Sequence, residues 1–158
     1  MFREMRRKEK QTTSEVAAGI MTRTSNGILA LTLEDGYPYA VPVSHLYLDG
    51  DIYFHTGNAG QKYDLLPGGP KVCFTAVEQD DFQPGKFTTY FRSAIAFGTA
   101  SIVQDKAEIT RLARALTKKY EPDISDAAID KFVAAEEGQF AFVKITVEHL
   151  TGKEDHTP

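Results

Sequence analysis

The chain has 158 residues, a formal net charge of -4, and 42% apolar against 25% charged residues. This composition is typical of one soluble domain and excludes disordered and fibrous chains, while the acidic balance argues against a general nucleic-acid binder. Cys73 is the only cysteine and no run of about 18 apolar residues occurs, so we expect a cytoplasmic protein without an intrachain disulfide or a membrane span. We expect a single domain over residues 1–158, with a solvated basic arm (1–11) and a C-terminal tail (152–158).

The first half of the chain predicts one helix and three strands. Thr12 and Glu15 satisfy a capping box, and apolar residues repeat at helical spacing up to Thr24. Asp35-Gly36 and Asp49-Gly50 then separate apolar runs, which is a strong hairpin signal and predicts an antiparallel meander. The predicted strands are 27–33, 37–48 and 51–56.

The second half predicts three further strands and two helices. The predicted strands are 71–78, 88–103 and 139–150. The long run 88–103 should bend at Gly98 or carry a bulge. Asp105 should cap one helix, and 125–137 should form another that turns Ile129, Phe132 and Val133 inward and stops at Gly138. Six strands with helices at the edges indicate a small antiparallel barrel of the α+β class.

The two-residue Asp49-Gly50 loop fixes a register for its hairpin, placing Ser44 opposite His55. One face, which includes His45, is apolar and should fill the barrel. The other face, which includes Ser44 and His55, should lie outside, where a ligand or a partner subunit could cover it. Because His45 and His55 fall on opposite faces, a metal site is not expected. His45 is interpreted as a core histidine with one hydrogen bond.

The segment from Thr56 to Lys62 predicts an anion-binding loop. Its two glycines let backbone N–H groups point outward, a short helix after it adds partial positive charge, and Lys62 adds a full charge. A simple turn is the alternative. His55 directly precedes the loop and is the histidine we interpret as functional, as a proton donor or a ligand contact.

Two more features point to a ligand. Pro42 within a strand marks a sheet edge or an interrupted ladder, either of which leaves main-chain groups free. Tyr90, Arg92 and Ser93 form a cluster suited to a planar or phosphorylated partner, although Arg92 could equally pair with a surface carboxylate. Cys73 lies inside an apolar strand and no GxSxG motif occurs, so a triad hydrolase is not expected.

Several segments together resemble the flavin-binding split-barrel family related to pyridoxamine 5'-phosphate oxidase, and within it the nitroimidazole-resistance (Nim) branch. The resemblance spans nearly the whole chain and depends on the order and spacing of its segments. The segments are residues 1–8, Tyr37-Pro-Tyr-Ala-Val-Pro-Val-Ser44, 52–55 with Gly60-Gln-Lys62, 88–93 with Phe97-Gly98, and 148–154.

The resemblance implies a six-stranded split barrel and a homodimer with FMN in a cleft between subunits. The main chain of 41–44 would line the flavin ring, Lys62 would neutralise the phosphate, and His55 would be the catalytic residue that transfers protons. The implied cofactor-binding residues are Val41, Pro42, Val43, Ser44, His55, Thr56, Gly60, Gln61, Lys62, Tyr90, Arg92 and Ser93.

The resemblance predicts an FMN-dependent oxidoreductase that reduces nitroaromatic compounds of the 5-nitroimidazole type to amines. The chain contains no Trp and lacks the Arg- and His-bearing C-terminal segment of the true oxidase, so vitamin B6 oxidation is not expected. One alternative is a non-enzymatic flavin- or haem-binding protein that stores, senses or sequesters its ligand. A deazaflavin in place of FMN is a third possibility.

Overall fold

The computed structural model describes residues 2–155, which form one seven-stranded antiparallel sheet with flanking helices. The strands are β1 (Asn26–Thr32), β2 (Pro38–Ser44), β3 (Leu46–Leu48), β4 (Asp51–Gly57), β5 (Lys71–Gln83), β6 (Thr88–Ile102) and β7 (Phe140–Asp155). The helices are α1 (Ser14–Arg23), α2 (Gln61–Asp64), α3 (Lys106–Tyr120) and α4 (Asp126–Ala135), with a 3₁₀ turn at Lys8–Lys10. No helix in the described part of the chain is long and apolar enough to cross a membrane.

The sheet is rolled but open. Its strand order is β2-β1-β5-β6-β7-β4-β3, so β2 and β3 form its two ends. Only His45 separates these strands in the chain, so the sheet must curve until its ends nearly meet. The predicted α+β class and split barrel are confirmed.

The predicted count of six strands was wrong, and the predicted meander is interrupted between its two hairpins, of which the first, β1–β2, forms as expected. The predicted run 37–48 divides at His45, because the chain pairs with β1 up to Ser44 and with β4 from Leu46 onward. The Asp49-Gly50 hairpin itself is confirmed, with positive φ angles of 54° and 86° at its two turn residues. The ladder reaches only from Leu48 to Leu46, so the pairing of Ser44 with His55 does not form.

The predicted irregularity in the long strand is confirmed at Gly98. The β6–β7 register shifts between Phe97 and Gly98, so that β7 carries one extra residue there. A Cβ atom at Gly98 would lie 2.2 Å from the carbonyl oxygen of Thr146, so only glycine permits this approach of the strands. Strand β5 also runs further than predicted, to Gln83, and has its own register shift after Val77.

Two apolar clusters hold the domain together. The first fills the barrel, where α1 contributes Ala17, Ile20 and Met21 to a core that includes Phe54 and Phe74. The second lies outside the sheet, where Leu46 and Tyr53 on the strands pack against α3 and α4. The outward hairpin face is therefore partly covered by the chain's own helices.

Most helix signals are confirmed, with two corrections. The Asp105 side chain accepts a hydrogen bond from the first turn of α3 as predicted, and Ser125 caps α4 in the same way, but Thr13 rather than Thr12 caps α1. Ile129 is buried, whereas Phe132 is 63% exposed and does not turn inward. The reason is that Ile129 occupies the face of α4 that packs on the second cluster, and Phe132 lies on the rim of that face.

The expected arm and tail are both structured within the described residues. Strand β7 continues to Asp155, so the chain is extended where a tail was expected from residue 152. Gln11 forms a bridge with Lys153, and the Thr12 N–H donates to the Gly152 carbonyl at 3.0 Å. The arm thus meets β7 at its C-terminal end, while most of its described side chains are exposed to solvent, as expected. His156, which was assigned to the tail, lies outside the described residues.

His45 is a core histidine, as predicted. Its side chain is fully buried, and Nε2 lies 2.8 Å from the carbonyl oxygen of Met21 at the end of α1. Because a carbonyl only accepts, Nε2 carries the proton and Nδ1 is left without a hydrogen-bond partner among the described residues. Burial, assisted by the charge of Lys119, lowers the pKa of His45 to about 4.

The buried imidazole predicts acid sensitivity of the fold. In the unfolded chain the pKa of His45 returns to about 6.5, so the unfolded state binds more protons between these values. We expect the free energy of unfolding to fall by about 3 kcal/mol through this group as the pH drops from about 6.5 to about 4. His45→Gln should remove that part of the loss, as measured by urea unfolding at pH 7, 5.5 and 4. Equal pH dependence of the variant and the wild type would contradict this origin.

Candidate functional site

A cavity of about 340 Å³ lies between the strand ends and the two C-terminal helices. Its floor is formed by β2, β4 and β7, and its walls by α3 and α4. We refer to it as the α3–α4 cavity. Its lining residues are Ser44, His55, Ala113, Leu116, Thr117, Tyr120, Ile129, Phe132, Val133, Glu136, Gln139, Phe140 and Phe142.

Ser44 and His55 both face this cavity, although they are not paired in the ladder. His55 is exposed on β4, opposite Phe142 of β7, and the two rings are 6.4 Å apart. Partial burial and, to a lesser degree, the positive charge of Lys62 lower the pKa of His55 below its ordinary value. The imidazole is therefore mostly neutral at pH 7 and accessible to a ligand.

Lys62 is the free cation of the site. It lies half-buried on α2, with Nζ 5.8 Å from the centre of the Phe54 ring, and burial lowers its pKa. Within residues 2–155 no carboxylate lies within 4.0 Å of it. The preceding loop is open, because a Cβ atom at Gly57 or Gly60 would meet nothing within 4 Å, and Gly60 has a φ of +100° that favours glycine. A partly desolvated amine without a partner beside an open loop is suited to bind an anion.

Strand β2 offers main-chain groups at the other side of the site. Pro42 correctly indicated an edge strand, since β2 pairs with β1 alone. Pro42 and Ser44 are exposed, Val41 is partly exposed, and the Val43 side chain is buried in the barrel core. Any contact of 41–44 with a planar ligand would thus use the outer rim of the strand and its unpaired backbone.

The remaining predicted residues are not gathered at this cavity. Arg92 is engaged by two carboxylates, with Glu154 at 3.1 Å and Glu78 at 3.2 Å, as the alternative interpretation of this residue allowed. Tyr90 lies near Lys86, and Ser93 lies on β6 opposite Lys153. The Thr56 side chain is buried on β4. None of these residues lines the α3–α4 cavity.

The sequence did not reveal the helical walls of the site. Tyr120 reaches back to the barrel, where its hydroxyl donates to the Ser25 carbonyl and accepts from the His45 N–H at 3.2 Å. Lys119 donates to the carbonyls of Thr24 at 2.7 Å and His45 at 2.8 Å. These bonds fix the end of α3 over Ser44. The helical spacing of Ile129, Phe132 and Val133 indicates an apolar helix face but gives no sign of a cavity beside it.

The electrostatic link between Lys62 and His55 is testable. Lys62→Met keeps the apolar stem but removes the charge, so we expect the pKa of His55 to rise, although burial should keep it below the ordinary value. Titration of the histidine Cε1–H signals by NMR measures this change. Lys86→Met, which alters an exposed lysine near Tyr90, is the control. An unchanged His55 titration in Lys62→Met would show that the two groups do not interact.

The chain has similarities to known structures and to one protein family. A search of curated proteins found no match. Among solved structures, a candidate 5-nitroimidazole antibiotic resistance protein from Bacteroides thetaiotaomicron is 23% identical, covering 89% of this chain and 83% of that one, with a TM-score of 0.72. The FAD and heme binding protein from Mycobacterium smegmatis is 18% identical, covering 94% and 74%, with a TM-score of 0.74. A FAD-binding protein from Mesorhizobium loti is 19% identical, covering 93% and 98%, with a TM-score of 0.64.

These structural likenesses show the shared fold. The family model described as pyridoxamine 5'-phosphate oxidase matches residues 13–154, which is nearly the entire described chain. The chain belongs to the pyridoxamine 5'-phosphate oxidase family.

Proposed function

We propose that the protein binds FMN beside the α3–α4 cavity and is an FMN-dependent oxidoreductase that reduces nitroaromatic compounds, such as 5-nitroimidazoles, to amines. One observation carries this proposal: the exposed His55 imidazole lies at an apolar cavity and within electrostatic reach of Lys62, a half-buried cation with no carboxylate beside it in the described chain. This combination suits a phosphorylated ring cofactor that needs a cation at one end and an apolar surface at the other.

The residues present fit FMN. Lys62 would hold the phosphate, with the open Gly57–Gly60 loop giving space for it. The free rim of β2 would contact the ring through the backbone of 41–44. Apart from His55, the lining of the cavity contains no basic side chain, so the phosphate belongs outside the cavity, on the Lys62 side. The cavity is then left for the molecule that is reduced.

The flavin, when bound, supplies the electrons, and the protein orients it, excludes water and delivers protons. His55 is suited to the last task. A phosphate bound at Lys62 would cancel the charge that lowers the pKa of His55, so a larger fraction of the imidazole would be protonated. A ring nitrogen of His55 could then donate a proton to a substrate atom in the cavity. The apolar side chains of Leu116 and Phe142 would keep water from this point.

We propose that the protein is a homodimer formed through the outer face of the sheet. Ile28 and Ile95 are more than a third exposed and lie in one cross-strand row with Pro42 and Thr75. Phe97 lies one row further along and is equally exposed. Such an apolar sheet face is typical of a subunit interface. Because the row ends at Pro42 on β2, a partner subunit there would also border the proposed flavin site.

Relatives support a flavin protein and keep one alternative open. The Mycobacterium smegmatis neighbour binds FAD and heme by its name, and the Mesorhizobium loti neighbour binds FAD. An exposed histidine at an apolar cavity would also suit a non-enzymatic flavin- or haem-binding protein, with His55 as a contact or axial ligand.

We assign the protein to the cytoplasm, because its single cysteine fits a reducing compartment.

The cofactor proposal is tested by binding. The absorption spectrum of the purified protein, with mass determination of the released ligand, separates flavin from haem.

We expect Lys62→Met to weaken FMN binding by about 10- to 100-fold, which is the value of one charge-assisted hydrogen bond. Riboflavin has no phosphate, so its binding should be unchanged. Both affinities are measured by fluorescence titration of the ligand-free protein. His55→Gln should keep FMN affinity but lower nitroaromatic turnover with a nicotinamide donor. Equal loss of FMN and riboflavin binding in Lys62→Met would refute the phosphate assignment, and bound haem without flavin would favour the alternative.

The dimer proposal is tested by sedimentation. Ile95→Lys places a charge in the apolar row, so we expect it to shift the protein from dimer to monomer and to weaken FMN binding. Tyr37→Lys changes an exposed side chain in the β1–β2 turn and should alter neither property. A monomeric wild type would contradict the proposed interface.

A further inference from the structure

The α3–α4 cavity is small, and its lining is mostly apolar. At about 340 Å³ it lies at the lower end of the about 300–1,000 Å³ range of small-molecule pockets. Its interior therefore suits a compound of one or two rings and is too small for a dinucleotide. Its walls include the aromatic rings of Phe132, Phe140 and Phe142, which favour a flat aromatic guest.

The polar groups of the lining are unequal in charge. Ser44, Thr117, Tyr120 and Gln139 carry neutral polar groups, and the one carboxylate in the lining belongs to Glu136. Within the described residues it has no basic side chain within 4.0 Å. The cavity thus carries a negative charge at its wall that no neighbouring cation cancels.

The other acidic groups near Glu136 differ from it. Asp126 and Asp130 of α4 both pair with Arg114, and Glu137 pairs with Lys106. Glu137 does not line the α3–α4 cavity but lines an adjoining hollow, which shares Val133 and Phe140 with it. Among the described residues, Glu136 is therefore a carboxylate of the cavity lining without a basic partner. The adjacent Glu137 is of the same residue type but is paired with Lys106.

The two ends of the α3–α4 cavity differ, and this difference favours one orientation of a bound guest. Tyr120 lies at the barrel seam, where it bonds to His45, whereas Glu136 follows α4 and precedes Phe140, which pairs with Gly57 at the end of β4. His55 lies on the floor between these two ends. A guest with its ring at His55 and a positively charged or neutral substituent toward Glu136 would satisfy both groups.

We propose that the α3–α4 cavity binds aromatic compounds of one or two rings that are uncharged or cationic and rejects anionic ones, with Glu136 as the residue that determines this charge preference. This inference names the substrate class of the proposed function and therefore rests on it. Lys62 does not oppose the preference, because it lies outside the lining and would be neutralised by the cofactor phosphate.

Three isosteric probes test the preference: 2-naphthylmethylamine as cation, 2-naphthalenemethanol as neutral compound and 2-naphthoate as anion. Affinities are measured by isothermal titration calorimetry at pH 7, with the protein as purified and after addition of FMN. We expect the wild type to bind the amine about tenfold or more tightly than the naphthoate, as one partly solvated charge contact allows.

Substitutions test whether the charge of Glu136 causes the preference for cationic ligands. Glu136→Gln should weaken amine binding by about tenfold and leave the alcohol unchanged, and Glu136→Lys should reverse the order so that the naphthoate binds best. Glu137→Gln is the matched control and should change none of the three affinities. Phe132→Ala truncates a side chain that is 63% exposed and lines the cavity, so it should weaken all three probes by a similar factor and so locate them in the cavity.

Some outcomes overturn the inference. These are equal binding of amine and naphthoate by the wild type, an unchanged ratio in Glu136→Gln, the same response in Glu137→Gln, or no effect of Phe132→Ala. Failure of the proposed function looks different, because a protein that holds no flavin and reduces no nitroaromatic compound could still show the probe preference. Conversely, loss of the preference in a protein that binds FMN would refute this inference alone.

Discussion

The structure depends on the short link at His45. Here the two end strands of one sheet meet through a single residue, and its buried imidazole is hydrogen-bonded to the carbonyl of Met21 on α1. Lys119 and Tyr120 of α3 bond to the backbone of the same residue. One buried point thus joins the sheet seam, the helix inside the barrel and the helix outside it. The site lies next to this point, since Ser44 directly precedes it and Tyr120 lines the cavity.

Much of the fold was accessible from the sequence because its signals are local. Asp49-Gly50 indicated the hairpin, Asp105 a helix cap, Gly98 the bulge and Pro42 the sheet edge, each through the conformation or hydrogen bond that the residue itself makes. The strand order was not accessible in this way. The β2–β3 division and the pairing of β4 with β7 depend on contacts between distant segments, and alternation along 37–48 is the same whether the run pairs with one neighbour or two.

The candidate site was predictable to a similar extent. His55 and Lys62 could be selected as candidates because they flank a glycine loop, whereas Ser44 was selected through a hairpin pairing that does not form. The cavity walls could not, because Leu116 and Ile129 have the helical spacing of any core residue, and only packing shows which side of the sheet they cover. Arg92 shows why two interpretations stayed open. Its place among aromatic residues suits a ligand contact, and only the folded chain brings the carboxylates of Glu78 and Glu154 beside it.

The proline at the sheet edge has a consequence for solubility. A bare edge strand exposes a row of donors and acceptors on which another chain can add its own strand, the first step of many aggregation reactions. Pro42 has no N–H to offer, so β2 makes a poor template for such addition. The open edge of β2 is therefore protected from pairing with unrelated polypeptides.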